Sequence, residues 1–285
     1  MVVVARRILG NYDLNERTGF PDSIPIPTQD AARQVVEDIV GSGNFLAFVS
    51  LLMQIQQNGL IGRSYRFTGL QEIYDQLIKA GYIFDYGTLQ FVEDTDRRKT
   101  RNWGVLQPGE MRTFTLLRLD IAGNSLLVRR YPPERIEETY AHLRQLLRRE
   151  VERRNGRIWS WEGDGGLAAF IDQDRNNKAF AASMVVLHDM FLYNLLDSPL
   201  EEPLRIRIAL HSGLCEYQNR FEDMSGEALN VVSEIEANLT APDSMTLSDA
   251  VYGSLDRLYA ARLAPVAERH GHRYYQYQIR LEETR

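Results

Sequence analysis

The sequence predicts an α+β protein: a ferredoxin-like βαββαβ domain preceded by a small, mostly helical one. Three observations carry this. Apolar residues recur at helical spacing through the first hundred positions. A run of almost wholly polar residues, Glu93-Asp94-Thr95-Asp96-Arg97-Arg98-Lys99-Thr100-Arg101, then interrupts the pattern and reads as a linker or exposed loop, with Pro108-Gly109 just beyond. After it, short strand-like runs alternate with long amphipathic stretches, so helices must cover one face of a sheet. The boundary falls near residue 108, giving domains over 1–108 and 109–285.

Pro21, Pro25 and Pro27 punctuate an extended entry. Thr28 is placed to cap a helix carrying Ala31, Val35, Val36, Ile39 and Val40 on one stripe, and Gly41-Ser42-Gly43 ends it. A second apolar run, Phe45 to Ile55, stops at Asn58-Gly59. A third helix is predicted over Leu70 to Ala80, with Leu70, Ile73, Tyr74, Leu77 and Ile78 in register.

In the second half Thr113 to Leu119 reads as a strand, and Pro132-Pro133 opens a long helix with Ile136, Tyr140, Leu143, Leu146, Leu147 and Val151 on one face. Asn155-Gly156 turns into a strand, Arg157 to Trp161, and the tip Gly163-Asp164-Gly165-Gly166 leads to a return strand, Leu167 to Ile171. A helix over Ala179 to Leu196, a strand over Leu204 to Leu210 and a final strand, Tyr274 to Leu281, complete the order.

Composition narrows the function classes. Of 285 residues 44% are apolar and 25% charged, which excludes global disorder. A net charge of -6 argues against an all-over nucleic-acid grip. Cys215 is the only cysteine, too few for a disulfide or a cysteine-based metal site. No apolar run approaches the roughly 20 residues that cross a bilayer, and the start Met-Val-Val-Val-Ala-Arg-Arg reverses a secretory signal. The expectation is a cytoplasmic protein with neither membrane nor nucleic acid as partner.

Asp120 ends the first strand of the second half and Asp164 sits at the hairpin tip. In a ferredoxin-like order these strands are neighbours, so both carboxylates can enter one pocket, and hard oxygen ligands of this kind suit Mg²⁺ or Mn²⁺ holding nucleotide phosphates. Gly163, Gly165 and Gly166 would permit close approach of a phosphate. Asp-Gly is also good turn chemistry, which explains Asp164 equally well.

Four segments now resemble the class III nucleotide cyclases in the right order. Leu119-Asp120-Ile121-Ala122-Gly123-Asn124-Ser125 is similar to their first metal-binding segment and Gly163-Asp164-Gly165-Gly166-Leu167-Ala168-Ala169-Phe170 to their second. Arg205 to Gly213 resembles the strand that ends in His-Thr/Ser-Gly, and Gly226-Glu227-Ala228-Leu229-Asn230 the opening of the helix of transition-state residues. Pro242 to Tyr252 continues the pattern; the resemblance covers roughly residues 112–285 and nothing before.

The resemblance implies a homodimer with composite sites that converts a nucleoside triphosphate to a 3′,5′-cyclic nucleotide and pyrophosphate. Asp120 and Asp164, with the Ile121 carbonyl, would hold two Mg²⁺ or Mn²⁺ ions per site. Gly123 and Asn124 would lie beside the substrate, Asn230 of the other copy would orient the ribose, and Asp223 and Ser160 would face the base. Two departures matter. Glu234 stands where the family has an arginine that stabilises the transferring phosphate, and Ser160 stands where it has an adenine-reading lysine. Losing a preorganised donor of the first kind typically costs roughly 2.7–4 kcal/mol. An active enzyme needs a substitute cation, for which Arg207, Arg129, Arg130 and Arg269 are candidates, and a different base; pyrimidine cyclases of bacterial antiphage systems (Pycsar) are a branch with altered base readers. The competing reading is a degenerate cyclase-homology domain that binds nucleotide or a partner without turnover.

Other features have plainer readings beside the functional ones. Trp159 and Trp161 flank Ser160 as strand packing or as part of a base pocket. His211 at a strand end suits a structural role better than a catalytic one, and His270 and His272 flank Gly271 too loosely for a metal site. Arg144, Arg148, Arg149, Arg153 and Arg154 form a solvated helix face, a dimer contact or a phosphate surface. The N-terminal domain resembles small helical adaptor domains of bacterial conflict proteins, which implies a regulatory role with a protein partner or a structural role in dimerisation.

Overall fold

Apolar stripes at helical spacing become packed helices through the N-terminal region of the computed structural model, which describes all residues except 1, 22–24, 88, 95, 98, 172–173, 270 and 280–285. The chain divides into two units, Met1–Gln107 and Pro108–Arg285. The first contains α1 (Val2–Leu9), α2 (Leu14–Thr18), α3 (Thr28–Gly41), α4 (Phe45–Asn58) and α5 (Leu70–Lys79). Val35 and Ile39 of α3 bury against Phe48, Leu51 and Ile55 of α4 and Val4 and Ala5 of α1. Thr28 is already helical, with Pro27 at the cap position and no side-chain cap, so its expected capping role is not realised. Neither α1 nor α2 was anticipated; α1 is one short amphipathic turn pair, and α2 is held by Asp13, which accepts from the Asn15 and Glu16 amides at 2.9 and 3.2 Å.

Two further differences lie before the boundary. Strands β1 (Tyr82–Asp85) and β2 (Gln90–Glu93) form an antiparallel hairpin whose Phe84 and Phe91 rings meet edge to face at 5.1 Å. Burial alternates along both strands, but two repeats of a period of two do not stand out in the sequence. The polar run after them is not a free linker: Glu93 is buried and accepts from the Thr100 hydroxyl at 2.6 Å and amide at 2.9 Å. Trp103 and Leu106 are buried beyond it, while Asp96, Arg97, Lys99 and Arg101 are exposed, as an exposed loop requires.

Asp38 anchors this unit. It accepts from Tyr12 Oη at 2.6 Å, Arg17 Nη2 at 2.5 Å and Gln34 Nε2 at 3.0 Å. The Arg17 bond first, then those of Tyr12 and Gln34, hold its carboxyl down at about 2 against the desolvation of burial. A depressed carboxylate stabilises the fold above its ordinary range near 3.8 and loses that contribution as pH falls through about 2. Tyr12→Phe is expected to cost about 1.5–3 kcal/mol near neutral pH, as a hydrogen bond to a charged group. In thermal melts the difference from wild type narrows as pH drops from 4 toward about 2.

The second unit runs β3 (Met111–Ile121), α6 (Asn124–Arg130), α7 (Pro133–Glu152), β4 (Arg157–Glu162), β5 (Gly165–Phe170), α8 (Arg175–Leu196), β6 (Ile206–Glu216), α9 (Glu227–Leu239), β7 (Ser244–Ser248), α10 (Asp249–Tyr252), α11 (Arg257–Ala260), β8 (Ala264–Arg269) and β9 (His272–Gln278). The sheet order is β4-β5-β3-β6-β7-β9-β8. Its first four strands are antiparallel in the ferredoxin-like arrangement, and β7 adds parallel to β6 after the α9 crossover. The predicted α+β class and βαββαβ core hold.

Strand alternation sorts the residues of β3 between faces. Leu117, Leu119 and Ile121 join Phe170, Ile208 and Leu210 in a core under α7 and α8, which contribute Leu143, Leu147, Phe180 and Val186. The intervening Arg118 and Asp120 fall on the other face, over which α9 packs. An 18-residue window of helix α8 averages a hydropathy of 1.4, enough by length and composition alone to span a bilayer, but α8 is a core helix whose Ala179, Phe180, Val186 and Met190 are buried on the sheet. Gly226 opens α9 at φ 153°, and a Cβ there would lie 2.9 Å from both the Leu214 carbonyl oxygen and the Cys215 Cα, so only glycine fits.

Candidate active site

Asp120 stands at the end of β3, paired across the ladder with Arg207 of β6, and is half-buried. Asp164 lies in the β4–β5 turn, and β5 is the other neighbour of β3. The two strand ends close on one another at Gly165, where a Cβ would lie 3.1 Å from the Leu119 carbonyl oxygen and 3.4 Å from Asp120 Oδ1. Tyr140, from α7, reports both carboxylates: burial, then Asp164, then Asp120 push its hydroxyl up to about 12. It therefore stays protonated near neutral pH and donates to Asn124 Oδ1, the first residue of α6. Gly123 takes a left-handed conformation, φ 74°, which turns the chain from β3 into α6 and sets Asn124 beside the pair. Asp120, Ile121, Gly123, Asn124 and Asp164 thus gather at one edge of the sheet, with Ile121 buried as the last strand residue.

Two participants were not anticipated. Tyr140 reads in sequence as an ordinary core position of α7. Glu236, on the buried face of α9, is only 5% exposed and lies 2.8 Å from Arg207 Nε through Oε1 and 3.7 Å from Arg118 Nε through Oε2. Burial first, then the Asp120 charge, raise its pKa, against the two arginines. Its signal in the sequence is a carboxylate sharing a helical face with Ala228, Val232 and Ile235. Arg207 itself donates to Asp120 Oδ2, so the expected substitute cation is held on the carboxylate edge.

The remaining expected residues are not bonded to this group among the described residues. Ser160 is half-buried in β4, opposite Leu167 and beside a register shift. Asp223 is exposed in the short turn Phe221–Asp223, and Asn230 is exposed on α9. Among the described residues no hydrogen bond or ion pair joins these three to the carboxylate pair. Glu234 is exposed and lines a cleft of about 680 Å³ with Glu227, His211, Asp249, His272 and Tyr274. Its charge helps raise the Tyr274 pKa, after burial and ahead of Asp249.

His211 lies in the middle of β6, not at a strand end as expected, because the strand continues to Glu216; its Nδ1 meets Ser248 Oγ at 2.9 Å, and burial lowers its pKa. Trp159 is buried edge to face with Phe114 at 4.8 Å, and Trp161 packs on the helix-side core. Arg144, Arg149 and Arg154 are paired with Glu137, Asp189 and Glu150. His270 lies outside the described residues, as does Leu281.

The donor chemistry at Asp120 and Asp164 fits a hard divalent cation. Among the described residues no group of three or more His, Cys, Asp or Glu side chains forms a ligand set. Mg²⁺ is bound in the same sparse way, through one or two carboxylates with water and substrate phosphates completing its shell.

No family model matches the sequence, and no curated protein matches it in sequence. Solved structures do match in fold. The adenylate/guanylate cyclase/hydrolase of Silicibacter pomeroyi is 23% identical at TM-score 0.50, covering 60% of this chain and 99% of that one. The adenylyl cyclase CyaB of P. aeruginosa is 17% identical at TM-score 0.51, with 60% and 95% covered. The guanylate cyclase domain of RhGC from Catenaria anguillulae, solved with GTP, is 16% identical at TM-score 0.50, with 60% and 100% covered. That share of the chain is about what Pro108–Arg285 makes up. The second unit has the fold of the adenylyl and guanylyl cyclase catalytic domain.

Proposed function

We propose that the chain is a nucleotide cyclase that converts a nucleoside triphosphate into a 3′,5′-cyclic nucleotide and pyrophosphate in the cytoplasm, working as a homodimer with composite sites. The observation that carries this is the closing of Asp120 and Asp164 on one edge of a cyclase-fold sheet, with Tyr140 and Asn124 bonded beside them. The substrate 3′-hydroxyl attacks the α-phosphate and pyrophosphate leaves. Asp120, Asp164 and the Ile121 carbonyl would hold two Mg²⁺ or Mn²⁺ ions, whose chemistry is to favour the alkoxide and neutralise phosphate charge. Gly123 and Asn124 flank the phosphates. From the other copy Asn230 orients the ribose, and Ser160 and Asp223 read the base.

Ser160 offers a short hydroxyl where a lysine would reach adenine, which favours a base other than adenine, a pyrimidine among them. The product would be a second messenger, in signalling or phage defence, with the helical unit as regulator or adaptor for a protein partner. One observation favours a second reading, nucleotide binding without turnover: Glu227, Glu234 and Asp249 make an acidic wall in the α9 cleft. Pyrophosphate release from ATP, GTP, CTP and UTP, each with Mn²⁺, decides between them. Release from one nucleotide is expected. Silence from all four, with the protein folded and dimeric, overturns the cyclase reading, and nucleotide binding in that case supports the second.

A further inference from the structure

We propose that Arg207 is a charge latch shared between Asp120 and Glu236, so that a buried carboxylate touching neither cation nor substrate sets how readily Asp120 takes a divalent cation. The proposal rests on the reading of Asp120 as a metal ligand. Arg207 faces Asp120 in the β3–β6 register and donates to its Oδ2. Its Nε lies 2.8 Å from Glu236 Oε1, yet neither atom completes a hydrogen bond among the described residues. A buried carboxylate oxygen without a hydrogen bond is costly, and a small turn of the guanidinium supplies the missing one. One guanidinium therefore serves two carboxylates, bonding Asp120 and leaving Glu236 Oε1 without a hydrogen bond.

Arg207 neutralises Asp120 while that carboxylate carries no cation. Once Asp120 is loaded, like charge drives the guanidinium away and Glu236 receives it. Arg118 holds the other Glu236 oxygen at 3.7 Å, which keeps the receiving carboxylate in place. Glu236 sits on α9, two residues after Glu234 and six after Asn230, so the handover bears on the helix that carries both. Glu236 is in this sense a positioning residue.

The test is Mn²⁺ alone, added to the full chain, with free ion counted by its paramagnetic resonance signal. Arg207→Gln is expected to tighten binding about 10-fold by removing a competing charge, and Glu236→Gln to weaken it about 5-fold by leaving Arg207 on Asp120. The double variant should match Arg207→Gln within about 2-fold, because the Glu236 effect passes through Arg207. It also removes the buried unpaired charge should Arg207→Gln alone not fold, and must then bind well above Glu236→Gln. Plain field effects would instead weaken the double variant by the full Glu236 factor. That outcome, or unchanged affinity in Glu236→Gln, overturns the latch and leaves the metal reading intact. Asp120→Asn is the reference: if neither wild type nor Arg207→Gln binds more Mn²⁺ than it does, the metal reading falls and the latch with it.

Discussion

Asp120→Asn is expected to lower pyrophosphate release by roughly 10²- to 10³-fold, the scale of losing one preorganised charge-stabilising group, while the melting temperature stays within a few degrees. Stability survives because asparagine still offers Arg207 an acceptor and Glu236 still balances its charge. Asp164→Asn separates two explanations of that residue. An Asp at the hairpin tip is good turn chemistry, but Asn-Gly serves such a turn equally well, so a purely structural Asp164 predicts no change in either rate or stability. A metal-holding Asp164 predicts loss of rate alone, of the same order as Asp120→Asn. Thermal melts and pyrophosphate release on the same preparations distinguish the two. Equal loss of both quantities in either variant would instead mark a collapsed strand end.

The fold was legible where the chain carries long periodic signals. The stripe from Ile136 to Val151 gave α7, and the Asn155-Gly156 turn with the glycine-rich tip gave the β4–β5 hairpin between correctly ordered neighbours. Short elements were lost because one or two repeats of a pattern do not stand out from the surrounding sequence: α1, α2, α6, β1, β2 and β8 each span eight residues or fewer. In the charged run after Glu93, composition correctly marks Asp96, Arg97, Lys99 and Arg101 as exposed, but it does not show that the buried Glu93 carboxylate bonds Thr100. At the site, strand-end placement made Asp120 and Asp164 visible because chain order alone puts their strands side by side. Tyr140 and Glu236 were invisible because each sits on an apolar helical face, and only the third dimension shows which polar atom lies at the end of it. Arg207 was visible as a cation, but its partners were not.

Glu234→Arg carries the largest expected gain. Glu234 is exposed on the stripe of α9 that also presents Glu227 and Val231 to the cleft, so its carboxylate faces the open volume and not the sheet. On the cyclase reading this wall meets the transferring phosphates across the dimer, and a carboxylate there repels what an arginine would hold. Restoring a preorganised donor is worth roughly 2.7–4 kcal/mol, a rise in turnover of about 10²- to 10³-fold. Glu234→Gln removes the repulsion without adding a donor and should lie between, near a 10-fold gain, on the order expected for one like charge close to the phosphates. Neither change should move stability by more than about 0.5 kcal/mol, since the position is exposed and makes no ion pair among the described residues. Pyrophosphate release and nucleotide affinity, measured together, read the result. A rise in turnover with both variants places Glu234 against the substrate. Tighter nucleotide binding with no pyrophosphate from either would mean that the cleft holds nucleotide while the chemistry is lost elsewhere. No change in either quantity would mean that this face of α9 never meets the phosphates, and the alignment of Glu234 with the family's arginine would fail with it.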